Sequence, residues 1–174
     1  MELHGYQEIN EQGQLTIGGV NTVKLAEQYG TPLYIYDTSL IRERARGFKD
    51  TFEELGVKAE VAYASKAFSS IAIFQLMKEE GLSLDVVSGG ELHTAIKAGF
   101  RVEKIHFHGN NKSYEELAMA LKLGIGCIVV DNFHELELIG AILAERGGST
   151  RVLLRVTPGI EAHTHDYILT GQED

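Results

Sequence analysis

The chain has 174 residues, 44% hydrophobic and 24% charged, the composition of a folded domain able to bury a core rather than of a disordered or fibrous chain. Its 16 basic and 25 acidic residues leave a formal net charge of −9, which argues against a nucleic-acid or anionic-membrane surface, so an anionic ligand must be held by local groups. No apolar run approaches the roughly 18 residues that cross a bilayer, no basic-then-apolar start is present, and the single Cys127 has no internal disulfide partner; a cytoplasmic protein is expected.

Residues 1–30 differ in pattern from the remainder of the chain. Leu15 to Val20 is a short β-prone piece containing Gly18 and Gly19, and Thr22 to Tyr29 reads as one amphipathic helix closed by Gly30. An arm, or part of another domain, is expected there. From Thr31 strands and helices alternate. A strand over 33–37 is followed by a helix to about Leu55, capped by Thr38 or Ser39 and stopped by Gly56. The second strand, 60–66, reads as apolar and buried and ends on Lys66. A helix opens at Ser69 or Ser70 and ends at Gly81, and a third strand, 82–88, runs into Gly89 and Gly90 and a helix over 91–98. The fourth strand covers 105–109. Ser113 with Glu116 three residues on is a capping-box signature for a helix to Leu123, closed by Gly124. The fifth strand and helix cover 126–131 and 132–146, and the sixth strand, 151–157, is broken by Pro158 and Gly159.

Six strands and five helices in units of about 22 to 28 residues call for right-handed crossovers and a parallel sheet buried on both faces. Either an open doubly wound sheet or a (β/α)8 TIM-type barrel satisfies this. The Gly-rich turn that usually follows the first strand of nucleotide-binding open sheets is absent from Asp37-Thr-Ser-Leu40. Polar residues fall instead at several strand ends: Lys66, Asp85 with Ser88, His108 to Asn111, Asp131 and Arg155. Barrel enzymes build sites in that way, so we expect a barrel, incomplete in this chain at about six βα units because eight take about 250 residues. The chain is read as a piece of a longer protein.

Lys66 is the residue with most to explain. A buried ammonium costs several kcal/mol or more, and an imine with an aldehyde cofactor such as pyridoxal phosphate removes that charge. The plainer alternative is a lysine that snorkels to solvent at the strand's exit.

The motifs Tyr63-Ala-Ser-Lys-Ala67, Asp85-Val-Val-Ser-Gly-Gly-Glu91, Phe107-His-Gly-Asn-Asn-Lys112, Val130-Asp131 and Leu154-Arg-Val-Thr-Pro-Gly159, followed by His163-Thr-His165, resemble the diaminopimelate decarboxylases. These belong to the alanine racemase-like barrel enzymes that use pyridoxal 5'-phosphate. The resemblance covers essentially the whole chain. It implies that residues 31–174 are part of a pyridoxal phosphate-binding (β/α)8 barrel and that residues 1–30 contribute to a second, β-rich domain. It also implies decarboxylation of meso-2,6-diaminopimelate to L-lysine by a homodimer; the 174-residue chain by itself is expected to be inactive. Lys66 matches the family's Schiff-base lysine, and Asp85 an acidic residue near that linkage. Arg155 matches an arginine on the cofactor side, and Ser88, His108 and Asn110 line the same rim. The alternatives are another decarboxylase or racemase of this fold, or a non-catalytic cofactor-binding barrel.

Each assignment has a structural rival. Asp85 could cap the amides of Gly89 or Gly90, and Arg155 could simply pair with Asp131. No metal is expected: His163 and His165 sit in an open loop, and His106 and His108 are read as facing opposite sides of their strand.

Overall fold

The computed structural model describes residues 3–156, whose contacts group them into two units: 3–61 with 79–82, and 62–78 with 83 onward. In the first, β1 (Gln7–Ile9), β2 (Leu15–Ile17) and β3 (Val20–Asn21) form an antiparallel meander. The stretch expected as one β-prone piece is a hairpin, because Gly18 and Gly19 both take positive φ (57° and 77°) and turn the chain between Ile17 and its ladder partner Val20. Helix α1 (Thr22–Tyr29) follows, capped by the Asn21 side chain.

Residues 33–37 form no strand, contrary to expectation. Among the described residues the segment belongs to neither sheet, and Tyr34 and Tyr36 are exposed; β-prone composition makes a strand only where a sheet edge takes it in. Helix α2 (Thr38–Glu54) is present, but its cap is Asp37, whose Oδ1 accepts the N–H groups of Ser39 (2.9 Å) and Leu40 (3.1 Å). A carboxylate there satisfies two orphan donors and meets the positive end of the helix.

Arg42 and Arg46 of α2 converge on Glu80, whose side chain is 6% exposed. Arg46 grips it with Nε and Nη2 (2.7 and 2.9 Å), and Arg42 Nη1 adds a third bond at 2.6 Å. These hydrogen bonds, Arg46's first, hold the Glu80 carboxyl down to about 2 from 4.5. A depressed carboxyl contributes stability that is fully present above its unfolded value and is lost as pH falls toward the folded one. Thermal melts of the parent and Glu80→Gln should therefore differ most at neutral pH and converge between pH 4.5 and about 2. A gap that stays constant across that window would remove Glu80 from the acid response.

The second unit is a five-stranded parallel sheet of β4 (Ala62–Ala64), β5 (Ser83–Val86), β6 (Ile105–Phe107), β7 (Cys127–Val130) and β8 (Val152–Leu154), in that order. Strand order equals chain order with no reversal. That is the order of a barrel wall, whereas a doubly wound open sheet reverses at a switch point. The intervening helices are α3 (Ile71–Glu79), α4 (Gly89–Lys97), α5 (Tyr114–Leu123) and α6 (Phe133–Arg146). Leu84, Val86, Ile105, Phe107, Cys127 and Ile128 are all fully buried, as strands covered on both faces require. The two outer strands depart from that expectation: Ala62, Ala64, Leu153 and Leu154 are exposed, since each outer strand has a neighbour on one side only. The capping box of α5 forms as expected, with Gly124 in the left-handed conformation at its end.

Candidate functional site

Parallel strands place all their C-terminal ends on one face, and the polar residues of the second unit gather there. Lys66 lies in a 3-10 turn (Ser65–Ala67) directly after β4 and is exposed, so the lysine expected at the end of a buried strand instead stands clear of an outer one. Its neighbour Ser65 is fully buried and donates its hydroxyl to Glu91 Oε2 at 2.7 Å; Glu91 also accepts the Val87 N–H at 2.6 Å. The turn that presents Lys66 is thereby tied to the start of α4.

Asp85 is paired in register with Ala64 on one side and His106 on the other. Its Oδ1 lies 3.5 Å from Nε2 of His108 and, like His106 Nε2, is buried with no hydrogen-bond partner among the described residues. Burial pushes the Asp85 carboxyl up; the charges of His108, His106 and Lys66 act in the opposite direction, and Glu91 adds to the rise. The placement of His106 and His108 on opposite sides was wrong. Residues two apart on a strand share a face, and both histidines act on Asp85.

Ser88 is the N-cap of α4, its Oγ accepting the Glu91 N–H at 3.2 Å. The Gly89 N–H goes to Glu116 Oε1 at 2.6 Å, so the capping role considered for Asp85 is filled by other groups. Asn110 is exposed at the tip of the turn after β6. Arg155 places Nη1 2.8 Å from Asp131 Oδ1, the pairing raised as its structural rival, and its backbone N–H extends the ladder to the Val130 carbonyl. His163 and His165 lie outside the described residues.

The sequence reading overlooked a buried ion pair on this rim, Lys112 with Glu135, at 2.9 Å. The sequence carried a signal for one end of it only: Asn132-x-x-Glu135 repeats the spacing of Ser113-x-x-Glu116 and Ser88-x-x-Glu91, which marks Glu135 but not its partner.

Pyridoxal phosphate needs an accessible lysine amine and a polar partner kept from water. Lys66 supplies the first, and the unpartnered Asp85 Oδ1 beside two histidines supplies the second, so the residues present fit the group.

The chain is 72% identical over all 174 residues to the diaminopimelate decarboxylase of Bacillus methanolicus and 67% to that of Bacillus subtilis, and it spans 40% of the length of each. Among solved structures, diaminopimelate decarboxylase from Helicobacter pylori complexed with L-lysine matches with a TM-score of 0.83 at 37% identity, covering 88% of this chain and 39% of that one. A lysine/ornithine decarboxylase from Vibrio vulnificus complexed with cadaverine matches less closely, at a TM-score of 0.68 and 25% identity over 78% of this chain and 35% of that one. Residues 38–174 match the family described as pyridoxal-dependent decarboxylase, pyridoxal binding domain. With the parallel strands in sequential order and an exposed lysine and a half-buried carboxylate toward their C-terminal ends, the chain belongs to the pyridoxal-dependent decarboxylases through their pyridoxal binding domain.

Proposed function

We propose that this chain supplies the lysine-bearing part of a pyridoxal 5'-phosphate enzyme that decarboxylates meso-2,6-diaminopimelate to L-lysine, the last step of lysine biosynthesis. The observation that carries the proposal is the exposed Lys66 on a turn fixed by Ser65 and Glu91, with the Asp85 carboxylate among the charges facing it. The 63–72% identity to three relatives named diaminopimelate decarboxylase supports the choice of substrate. When bound, the cofactor supplies an electron sink for the negative charge left by loss of carbon dioxide. Lys66 would hold it through the side-chain amine. Asp85, kept partly from water, would favour positive charge beside that amine, with His108 and His106 holding the carboxylate against its burial. Ser88, Asn110 and Arg155 would line the cofactor side of the rim. We further assign residues 1–30 to a second β-rich domain and residues 31–174 to the barrel, and the working enzyme to a cytoplasmic homodimer. Among the described residues no helix is long and apolar enough to cross a membrane.

The deciding experiment is to supply the full-length protein and pyridoxal phosphate with meso-diaminopimelate, L-ornithine or L-arginine and to measure carbon dioxide and product amine. Equal amounts of carbon dioxide and L-lysine, from the first substrate at a far higher rate than from the others, are expected. Faster turnover of ornithine, or change of configuration without carbon dioxide, would sink the assignment.

A further inference from the structure

Glu91, Glu116 and Glu135 occupy the same place in α4, α5 and α6, three residues after the N-cap, and each carboxylate reaches across to the segment that follows the strand one unit earlier, β4, β5 and β6 in turn. Glu91 takes the Ser65 hydroxyl, Glu116 the Gly89 N–H and Glu135 the Lys112 ammonium. Successive connections on the C-terminal face are thus stapled to one another. The third staple differs in kind, because both partners are charged and both are buried, with side chains 1% and 2% exposed.

Stability does not account for those charges. An apolar pair of similar volume is often as stable as a buried ion pair or more so, because two ions must lose their water. What charged groups can do, and methylenes cannot, is grip backbone. The three N–H bonds of the Lys112 ammonium have three acceptors: Glu135 Oε2, the Gly109 carbonyl at 2.6 Å and the Val129 carbonyl at 2.9 Å. Glu135 Oε2 also accepts the Asp131 N–H at 3.0 Å. Gly109 lies between His108 and Asn110 with φ +117°, and a Cβ on it would stand 3.3 Å from the Val87 carbonyl, so the turn runs close against its neighbour in a conformation that side-chain-bearing residues avoid. The same turn sets His108 3.5 Å from Asp85, and Asp131 holds Arg155.

We infer that Lys112 and Glu135 are positioning residues for the cofactor site, locking the connections after β6 and β7 so that His108 is held facing Asp85 while Asp131 holds Arg155. This rests on the cofactor reading of Lys66 and Asp85. The test replaces the pair by two apolar combinations in the full-length protein, Lys112→Met with Glu135→Leu, and Lys112→Leu with Glu135→Met. Thermal melts of the cofactor-free protein, its affinity for pyridoxal phosphate by absorbance titration, and kcat and KM are measured separately. Melting within a few degrees of the parent's temperature is expected, with cofactor affinity weakened at least about tenfold and kcat lowered on the order of a hundredfold, the scale of a small misplacement at a reacting centre. One folded combination is enough to decide. Parent-like cofactor affinity and kcat in a folded combination would overturn the inference, as would failure of both combinations to fold, which would make the pair a stability element. A parent protein that takes up no pyridoxal phosphate would remove the cofactor reading and this inference together.

Discussion

Replacing Lys66 by alanine in the full-length protein should abolish covalent retention of pyridoxal phosphate and lower turnover by at least about 10³-fold, the scale seen when an enzyme loses its bond-forming side chain. The fold should not notice. Lys66 is exposed on a short turn whose anchoring runs through Ser65 and Glu91, so the cofactor-free variant should melt within about 0.5 kcal/mol of the parent, as surface substitutions usually do. Mass spectrometry after borohydride reduction measures the covalent link, and calorimetry the stability. A variant that still carries the reduced cofactor adduct would move the attachment point to another amine. A variant that loses stability along with activity would show that the turn, rather than the amine, was what mattered.

Glu135→Ala should cost about 3–5 kcal/mol, the range for removing one member of a buried ion pair, which is a large fraction of the 5–15 kcal/mol that holds a typical domain together. The Lys112 ammonium would remain almost wholly buried between the Gly109 and Val129 carbonyls with no counter-charge, and the Asp131 N–H would lose its acceptor. Glu116→Ala is the control. Glu116 sits at the same helix position but is only half-buried and makes neutral-donor bonds to Gly89 and Ser113, so its loss should cost about 1–3 kcal/mol. Urea unfolding of both variants settles the comparison. Equal losses would mean that burial of the charges has no special weight. The apolar double replacements should recover most of the Glu135→Ala loss, because the two sites share one interaction and their effects cannot add.

The alternation of elements, the cap at Ser113 and the stops at glycines were legible in the sequence, because periodicity and capping are local properties read over a few residues. Lys66 and Asp85 stood out there as well, because both sit in motifs that resemble a known family, although Lys66 lies on a turn after β4 and Asp85 within β5. That 33–37 would not be a strand was not legible in the same way: its residues have the right composition, but a strand exists only as part of a sheet, and among the described residues this segment belongs to neither. Exposure of β4 and β8 was hidden for a related reason, since a strand's place in the order of a sheet is not written in its own residues. Tertiary structure alone joined Lys112 to Glu135, 23 residues away. A lysine in a loop and a glutamate in a helix's first turn each look like solvated residues until folding buries both, after which neither can keep its charge without the other. The sequence by itself therefore determined which residue types stand at the strand ends and where the helices start and stop; the parallel register of β4, β5 and β6 decided that Lys66, His106 and His108 would all bear on Asp85, because charges couple through distance in space and not through separation along the chain.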